Sequence, residues 1–398
     1  MAFNENLSRR KFLSGTGALA LAPMALNRFD LPASMAAAVQ SATTIKRKLG
    51  RTDIEVPIVS MGVMNADNPA VVQESINMGV LLFDTADGYQ SGRNEEMIGK
   101  VVSNLNARNR VYIQTKSRIH PMNQPAPPTA AERRQVLLKN LDACLARLNT
   151  DYVDIFLVHD PTMEMLTDSG VKEALTEMKK QKKAHYVGFS THGNQAEQLN
   201  VAAKDGFYDT ITLSYNYTMA DNKALLEAVR NAAKAGIGLI AMKSQAVARG
   251  KQAGPPANHT AALKWVLRQT EFTTAIPGYT NFDHLKENFS VATGPNLDYT
   301  NTEKEFLSGR NVQAFARFCQ QCGECRPSCP RGIDIPTLMR THMYAAGYGN
   351  FIHARTTLDE IASNSSLKNC SNCSDCNAKC ANYVNIAENI RDLKSMYL

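Results

Sequence analysis

Eight of the nine cysteines fall into two copies of one spacing, Cys-x2-Cys-x2-Cys-x3-Cys, at Cys319, Cys322, Cys325 and Cys329 and again at Cys370, Cys373, Cys376 and Cys380. Thiolates three residues apart can wrap one iron-sulfur cubane, while the fourth, followed in the first set by Pro330, is thrown outward to the other. The expected pairing is therefore crossed: Cys319, Cys322 and Cys325 with Cys380, and Cys370, Cys373 and Cys376 with Cys329, holding two 4Fe-4S clusters. Zinc takes four ligands, usually as separated pairs, and disulfides would suit an exported chain. Neither explains why one four-cysteine spacing occurs twice, 51 residues apart.

A second group of reactive side chains stands where short apolar runs end. The runs are residues 57–63, 80–83, 111–114, 153–158, 186–189, 210–213, 238–242 and 274–276. Asp84 follows the second, Lys116 the third, His159 the fourth, Ser190 the fifth and Lys243 the seventh, with Tyr89 in the loop after Asp84. A phenol, an amine, a carboxylate and an imidazole at one pocket mouth form a proton-delivery device. The ammonium of Lys116 is expected to pull the Tyr89 phenol toward neutrality, Asp84 to hold Lys116, and His159 to fix a substrate carbonyl oxygen. Carbonyl reduction needs such a group, because a proton must reach oxygen as hydride reaches carbon.

Bringing these residues together is the task of the elements between them. Segments 129–148, 169–182, 222–235 and 258–269 place apolar residues at helical three-and-four spacing. Short buried strands alternating with helices demand parallel pairing. Eight units fit a closed α/β (β/α)8 TIM barrel, whose strands present their carboxyl ends at one face. Residues 48–55 read as a hairpin entering the barrel, and residues 296–305 as the joint to the cysteine region. Cys144 and Trp265 read as packing residues.

The net charge of +7 is modest, and the first 44 residues carry +2 of it, so nucleic acid is not an expected partner. The run Ser8-Arg9-Arg10-Lys11-Phe12-Leu13 precedes a weakly apolar stretch broken by Pro23 and reads as a twin-arginine export signal. That stretch is too short to span a bilayer, so no transmembrane span is expected after export to the periplasm or outer face of the cytoplasmic membrane. The expected organisation is residues 1–44 as signal and linker, 45–295 as barrel, and 296–398 as linker and small α-rich ferredoxin-like iron-sulfur domain.

Residues 45–289 resemble the aldo-keto reductases. The motifs are KLGRTDIEVPIVSMG at 48–62, FDTADGY at 83–89, RNEEMIGK at 93–100, YVDIFLVHD at 152–160, VGFST at 187–191 and AIPGYTNFDHLKEN at 275–288. The resemblance implies that Asp84, Tyr89, Lys116 and His159 are the catalytic four, and that Ser190, Gly278, Glu287 and Asn288 contact a nicotinamide cofactor, NADP or NAD. Tyr215 and Lys243 are counted with those contacts. Thr191 stands where the family commonly has Asn, and Thr212 where it commonly has Gln. Residues 318–393 resemble bacterial two-cluster ferredoxins, with Ala381 in place of the usual proline after the second set.

No flavin fingerprint is visible to convert between hydride, which carries two electrons, and cubanes, which pass one; residues 92–99 lack dinucleotide-turn spacing. The expected activity is that of a nicotinamide-dependent oxidoreductase acting on a small carbonyl or alcohol, with a redox partner protein for the clusters. The alternatives are a ferredoxin-type electron carrier whose barrel serves as a docking scaffold, and a binding protein with structural clusters.

Overall fold

The computed structural model describes residues 44–120, 129–245, 258–308, 319–370, 373 and 376–398. The expected export signal lies outside them.

An antiparallel hairpin, β1 (Lys46–Lys48) and β2 (Glu55–Pro57), comes first. Its tip works only with glycine: Gly50 sits at φ +53, and a Cβ there would lie 2.3 Å from the Gly238 amide nitrogen. The tip therefore presses directly on barrel backbone, and Leu49, Ile54 and Val56 join the barrel's interior.

Eight parallel strands follow: β3 (Met61–Gly62), β4 (Leu82–Asp84), β5 (Tyr112–Ser117), β6 (Val153–His159), β7 (Ala184–Thr191), β8 (Thr210–Ser214), β9 (Gly238–Met242) and β10 (Phe272–Ala275). They pair in sequence order, and parallel bridges Val59↔Ala275 and Gly62↔Gly278 bring the two edges together. Side chains alternate along each strand. Leu82, Ile155, Leu157, Ile240 and Met242 fill the barrel, whereas Phe83, Phe156, Phe189, Ile211 and Leu213 face the helices.

The helices are α1 (Pro69–Met78), α2 (Arg93–Asn104), α3 (Ala130–Leu148), α4 (Met163–Thr167), α5 (Ser169–Lys180), α6 (Gln195–Asp205), α7 (Lys223–Lys234), α8 (His259–Leu267) and α9 (Phe282–Thr293). Local chemistry starts them. A capping box of Thr129 and Glu132 opens α3, and Asn68, Asn222 and Asn258 cap α1, α7 and α8. Cys144 is buried in α3, and Trp265 packs against the core from α8.

Beyond α10 (Asn301–Leu307), the cysteine region is helical: α11 (Ile335–His342), a π-helical turn (Met343–Gly347), α12 (Phe351–Asp359) and α13 (Ile386–Tyr397). It has its own core of Ile333, Ile335, Leu338, Ile386, Ile390 and Leu393, shared with Cys325 and Cys370. Residues 43–398 nonetheless form one compact unit, because this region packs onto the barrel. Among the described residues, no helix is long and apolar enough to cross a membrane.

Candidate active site

Strand register brings the sequence-distant residues to one end of the barrel. Asp84, last in β4, is level with Gln114 in β5, so Lys116 stands two residues further up on the same inward face. His159, last in β6, is level with Ser190 in β7. Tyr89 begins a tight turn in which Gln90 and Ser91 adopt φ 51 and 57. That turn is pinned by the Gln90 amide, which donates to Ala66 O at 3.1 Å, and by Asn94, which donates to Val63 O at 2.7 Å.

Lys116 is the hub. Its Nζ, with the side chain fully buried, lies 2.8 Å from Asp84 Oδ2, 2.7 Å from Thr85 O and 3.3 Å from the Tyr89 hydroxyl. Gln114 Nε2 holds the other Asp84 oxygen at 2.5 Å and reaches Thr212 Oγ1 at 3.0 Å. The His159 ring meets the Tyr89 ring edge-to-face, centroids 6.2 Å apart.

Electrostatics correct one expectation. The Tyr89 phenol is not drawn toward neutrality; burial and then Asp84 raise it well above the usual tyrosine value, against the opposing pull of Arg118. Desolvation outweighs the cationic neighbourhood, so Tyr89 keeps its proton. His159 is held well below its ordinary value by burial, then by Arg118 and Lys116, and is a neutral imidazole near pH 7.

A pocket is walled by six residues picked out in the sequence, Asp84, Tyr89, Lys243, Gly278, Glu287 and Asn288. Ser190 is fully buried at its strand end, and its Oγ has no hydrogen-bond partner among the described residues. Ser244 Oγ, on a pocket-lining residue, and Gln114 Oε1 are also buried and without a partner among the described residues, a pattern that a polar ligand would complete. Thr191 turns its hydroxyl to Gly193 O at 2.9 Å.

Tyr215 departs from expectation. It follows Ser214, the last residue of β8, with outward parity, and stacks between the barrel and α8 on Phe272 (4.5 Å) and Trp265 (5.4 Å), its hydroxyl on Gln269. It is a core residue and not a cofactor contact.

The cysteine region closes the site, which sequence reasoning missed. Arg340 of α11 pairs with Asp160 at 3.1 Å, Arg118 with Glu360 at 3.3 Å, and Asn350 donates to Asn65 Oδ1 at 2.7 Å. Asp160, which burial alone would raise, is held below the carboxylate range by Arg340, His192 and Arg118. Gly347 and Tyr348 join the pocket wall, and Lys243 Nζ lies 4.5 Å from the Tyr344 ring centre and 5.3 Å from that of Tyr348. Burial, then Arg340 and Lys116, bring the Lys243 amine down to about 7. The His353 ring packs edge-to-face on Tyr89 at 5.6 Å. One signal was available: the 40 residues between Cys329 and Cys370 carry Tyr344, Tyr348, His342 and His353, more than a ferredoxin connection needs.

None of the nine cysteines is joined to another in a disulfide. Their mutual electrostatic neighbours sort the eight motif cysteines into two sets: Cys319 with Cys380, Cys325 and Cys322, and Cys370 with Cys329, Cys373 and Cys376. Each set takes three sulfurs from one run and the fourth from the other, a donor set that fits one cubane apiece.

In barrel, hub and cysteine sets the chain resembles an oxidoreductase of the aldo-keto reductase type. Residues 62–252, which hold most of the barrel, match the Aldo/keto reductase family, and residues 318–385, toward the C-terminal end, match a 4Fe-4S dicluster domain. It is 26% identical over 304 residues to L-galactose dehydrogenase of Arabidopsis thaliana, covering 66% of this chain and 92% of that protein. To the versiconal hemiacetal acetate reductase of Aspergillus parasiticus it is 26% identical over 244 residues, covering 54% and 70%. The uncharacterized oxidoreductase YqkF of Bacillus subtilis is 31% identical over 155 residues, so the chain spans about half of that relative, 48%. In fold it is similar to the holo form of aldo-keto reductase AKR11C1 from Bacillus halodurans, with TM-score 0.55, 19% identity, and 68% and 96% of the two chains covered.

Proposed function

We propose that this oxidoreductase interconverts a small-molecule carbonyl and alcohol, with Tyr89 exchanging the proton, and that it works after export by the twin-arginine route. The observation that carries the chemistry is the Lys116 ammonium, which touches Asp84, Thr85 O and the Tyr89 hydroxyl at once. A nicotinamide cofactor, NADP or NAD, supplies or accepts the hydride when bound. Ser190, Lys243, Gly278, Glu287 and Asn288 would hold it. In reduction, Tyr89 gives its proton to the carbonyl oxygen, and Lys116 at 3.3 Å stabilises the phenolate left behind. Neutral His159 donates a hydrogen bond to the same oxygen and fixes its angle. The two cysteine sets would hold two 4Fe-4S clusters, which supply one-electron exchange with a redox partner protein. Relatives named as a dehydrogenase and a reductase support the reaction class.

Tyr89→Phe is expected to lower carbonyl turnover by at least ~100-fold, the scale of a positioned general acid. An unchanged rate would exclude Tyr89 from that role. The competing reading, an electron carrier with the barrel as scaffold, draws on Thr191 being satisfied within the protein and Tyr215 being turned into the core. Absorbance and native mass of anaerobically purified protein separate the two, since only the reductase retains or binds nicotinamide.

Export rests on the paired Arg9 and Arg10 ahead of Phe12 and Leu13. Replacing both arginines with lysine should leave the protein in the cytoplasmic fraction; undiminished periplasmic recovery would refute the route.

A further inference from the structure

Gln321 joins three parts of the molecule. Its side-chain amide donates to Cys319 Sγ at 3.1 Å and to Pro336 O, in the first turn of α11, at 2.8 Å. Its backbone N–H bonds the same sulfur. Its carbonyl oxygen lies against the barrel, where a Cβ on Gly193, two residues after the end of β7, would come within 3.2 Å of it. Gly193 adjoins His192 of the pocket wall.

A sharp turn of the backbone lets two N–H groups of one residue meet one sulfur. Gln321 sits at φ 57, in the left-handed region that residues other than glycine enter at a cost. Such strain persists where the surroundings hold it, and it gathers at functional sites. Here it wraps the chain around a cysteine of the motif.

The remaining contacts of the motif cysteines are longer or of another kind. Asn382 Nδ2 stands 3.9 Å from Cys322 Sγ, and beside the second set the Lys394 ammonium donates to the Cys370 carbonyl oxygen at 2.6 Å. Among the described residues, Cys319 is thus the motif cysteine whose sulfur a side-chain amide holds closely. Hydrogen bonds to sulfur help to set the potential of an iron-sulfur cluster. An electron gained makes the ligand sulfurs more negative, and an N–H aimed at one of them then binds it more strongly. The reduced form gains more, so the potential rises.

Resting on the reading that Cys319, Cys322, Cys325 and Cys380 hold a 4Fe-4S cluster, we propose that Gln321 sets the reduction potential of that cluster through its side-chain amide, holding it above the value the four thiolates alone would give. It is a tuning residue and not a ligand. The cluster it tunes is the one on the barrel side, since Gln320 donates to Thr218 O and Gln321 O faces Gly193.

The test poises the anaerobic holoprotein at a series of potentials with dithionite and mediators and reads the reduced clusters by paramagnetic resonance. Gln321→Met keeps the side-chain length and drops the donor. At a fixed potential it should lower the reduced-to-oxidised ratio of one cluster about fivefold, the size of one net hydrogen bond, or about 40 mV for one electron. The other cluster should stay at its wild-type value. Gln321→Lys, which keeps an N–H donor, should hold the first cluster at or above its wild-type potential. Only cluster-loaded protein gives a signal, so partial loss of iron does not disturb the reading. Unmoved potentials in Gln321→Met, an equal shift of both clusters, or a fall in Gln321→Lys overturns the proposal. So does complete loss of that cluster from both variants, which marks Gln321 as structural only. Iron analysis of the wild type keeps the two ideas apart: well under about eight irons per chain refutes the two-cluster reading on which the proposal rests.

Discussion

Lys116 has no access to water, and its charge is tolerated because three oxygens of the chain surround it. Desolvating an ammonium is costly, and one carboxylate offsets most of that cost. Asp84→Asn keeps the shape and leaves an oxygen for Gln114, yet removes the charge that balances Lys116. It should destabilise the protein by about 3–5 kcal/mol, the range for breaking a buried pair by removing one partner. A urea titration of the holoprotein checks this through its midpoint, and an unchanged midpoint would show that the pair contributes nothing. Carbonyl turnover should fall too, because the Asp84 carboxylate no longer holds the Lys116 amine against the Tyr89 hydroxyl. The same comparison explains why residue types alone misjudged Tyr89. They reveal that an amine is near a phenol, but not that the phenol is sealed from solvent, and sealing dominates.

Eight apolar runs correspond to eight barrel strands because short buried runs bounded by turn residues have few other uses in a chain that alternates with amphipathic helices. The first is the least faithful. Of residues 57–63, Pro57 ends the hairpin strand β2, Val59 makes one bridge to Ala275, and only Met61–Gly62 is strand in the barrel. Strand-end chemistry was also legible, since Asp84, Lys116 and His159 occupy the inward face that parity assigns them. Parity likewise decided Tyr215 the other way: it lies one residue past an inward Ser214 and faces the helices. The roof over the pocket carried no such signature. Segments α11 and α12 are placed by three long-range pairs, Arg340 with Asp160, Glu360 with Arg118 and Asn350 with Asn65, whose members are up to 285 residues apart. Pairings of that reach arise from the tertiary fold, and no local spacing encodes them.

At the scale of the whole molecule, the two cysteine sets are buckles on the strap that roofs the barrel. The chain leaves the first run at Cys329, meets the pocket at Gly347 and Tyr348 between α11 and α12, and enters the second run at Cys370, while each run lends one sulfur to the other's set. The run containing Cys319 also touches the barrel, where Gln320 donates to Thr218 O at 2.7 Å, and Gln321 ties that run to α11 by donating to Cys319 Sγ at 3.1 Å and to Pro336 O at 2.8 Å. Cys380 completes that set from the far end of the strap. Cys380→Ser should therefore cost iron mainly from the set of Cys319, Cys322 and Cys325, leaving the set of Cys370, Cys373 and Cys376 filled. Iron analysis should approach half the wild-type content, and paramagnetic resonance of the reduced protein should retain the signal of a single cluster. Iron loss confined to the other set would refute the crossed arrangement. Because Gly347 and Tyr348 of the pocket wall hang between the sets, the same substitution should also weaken carbonyl turnover although Cys380 does not itself line the pocket. Lost iron with full turnover would mean that the ion pairs of Arg340 and Glu360 hold the roof unaided.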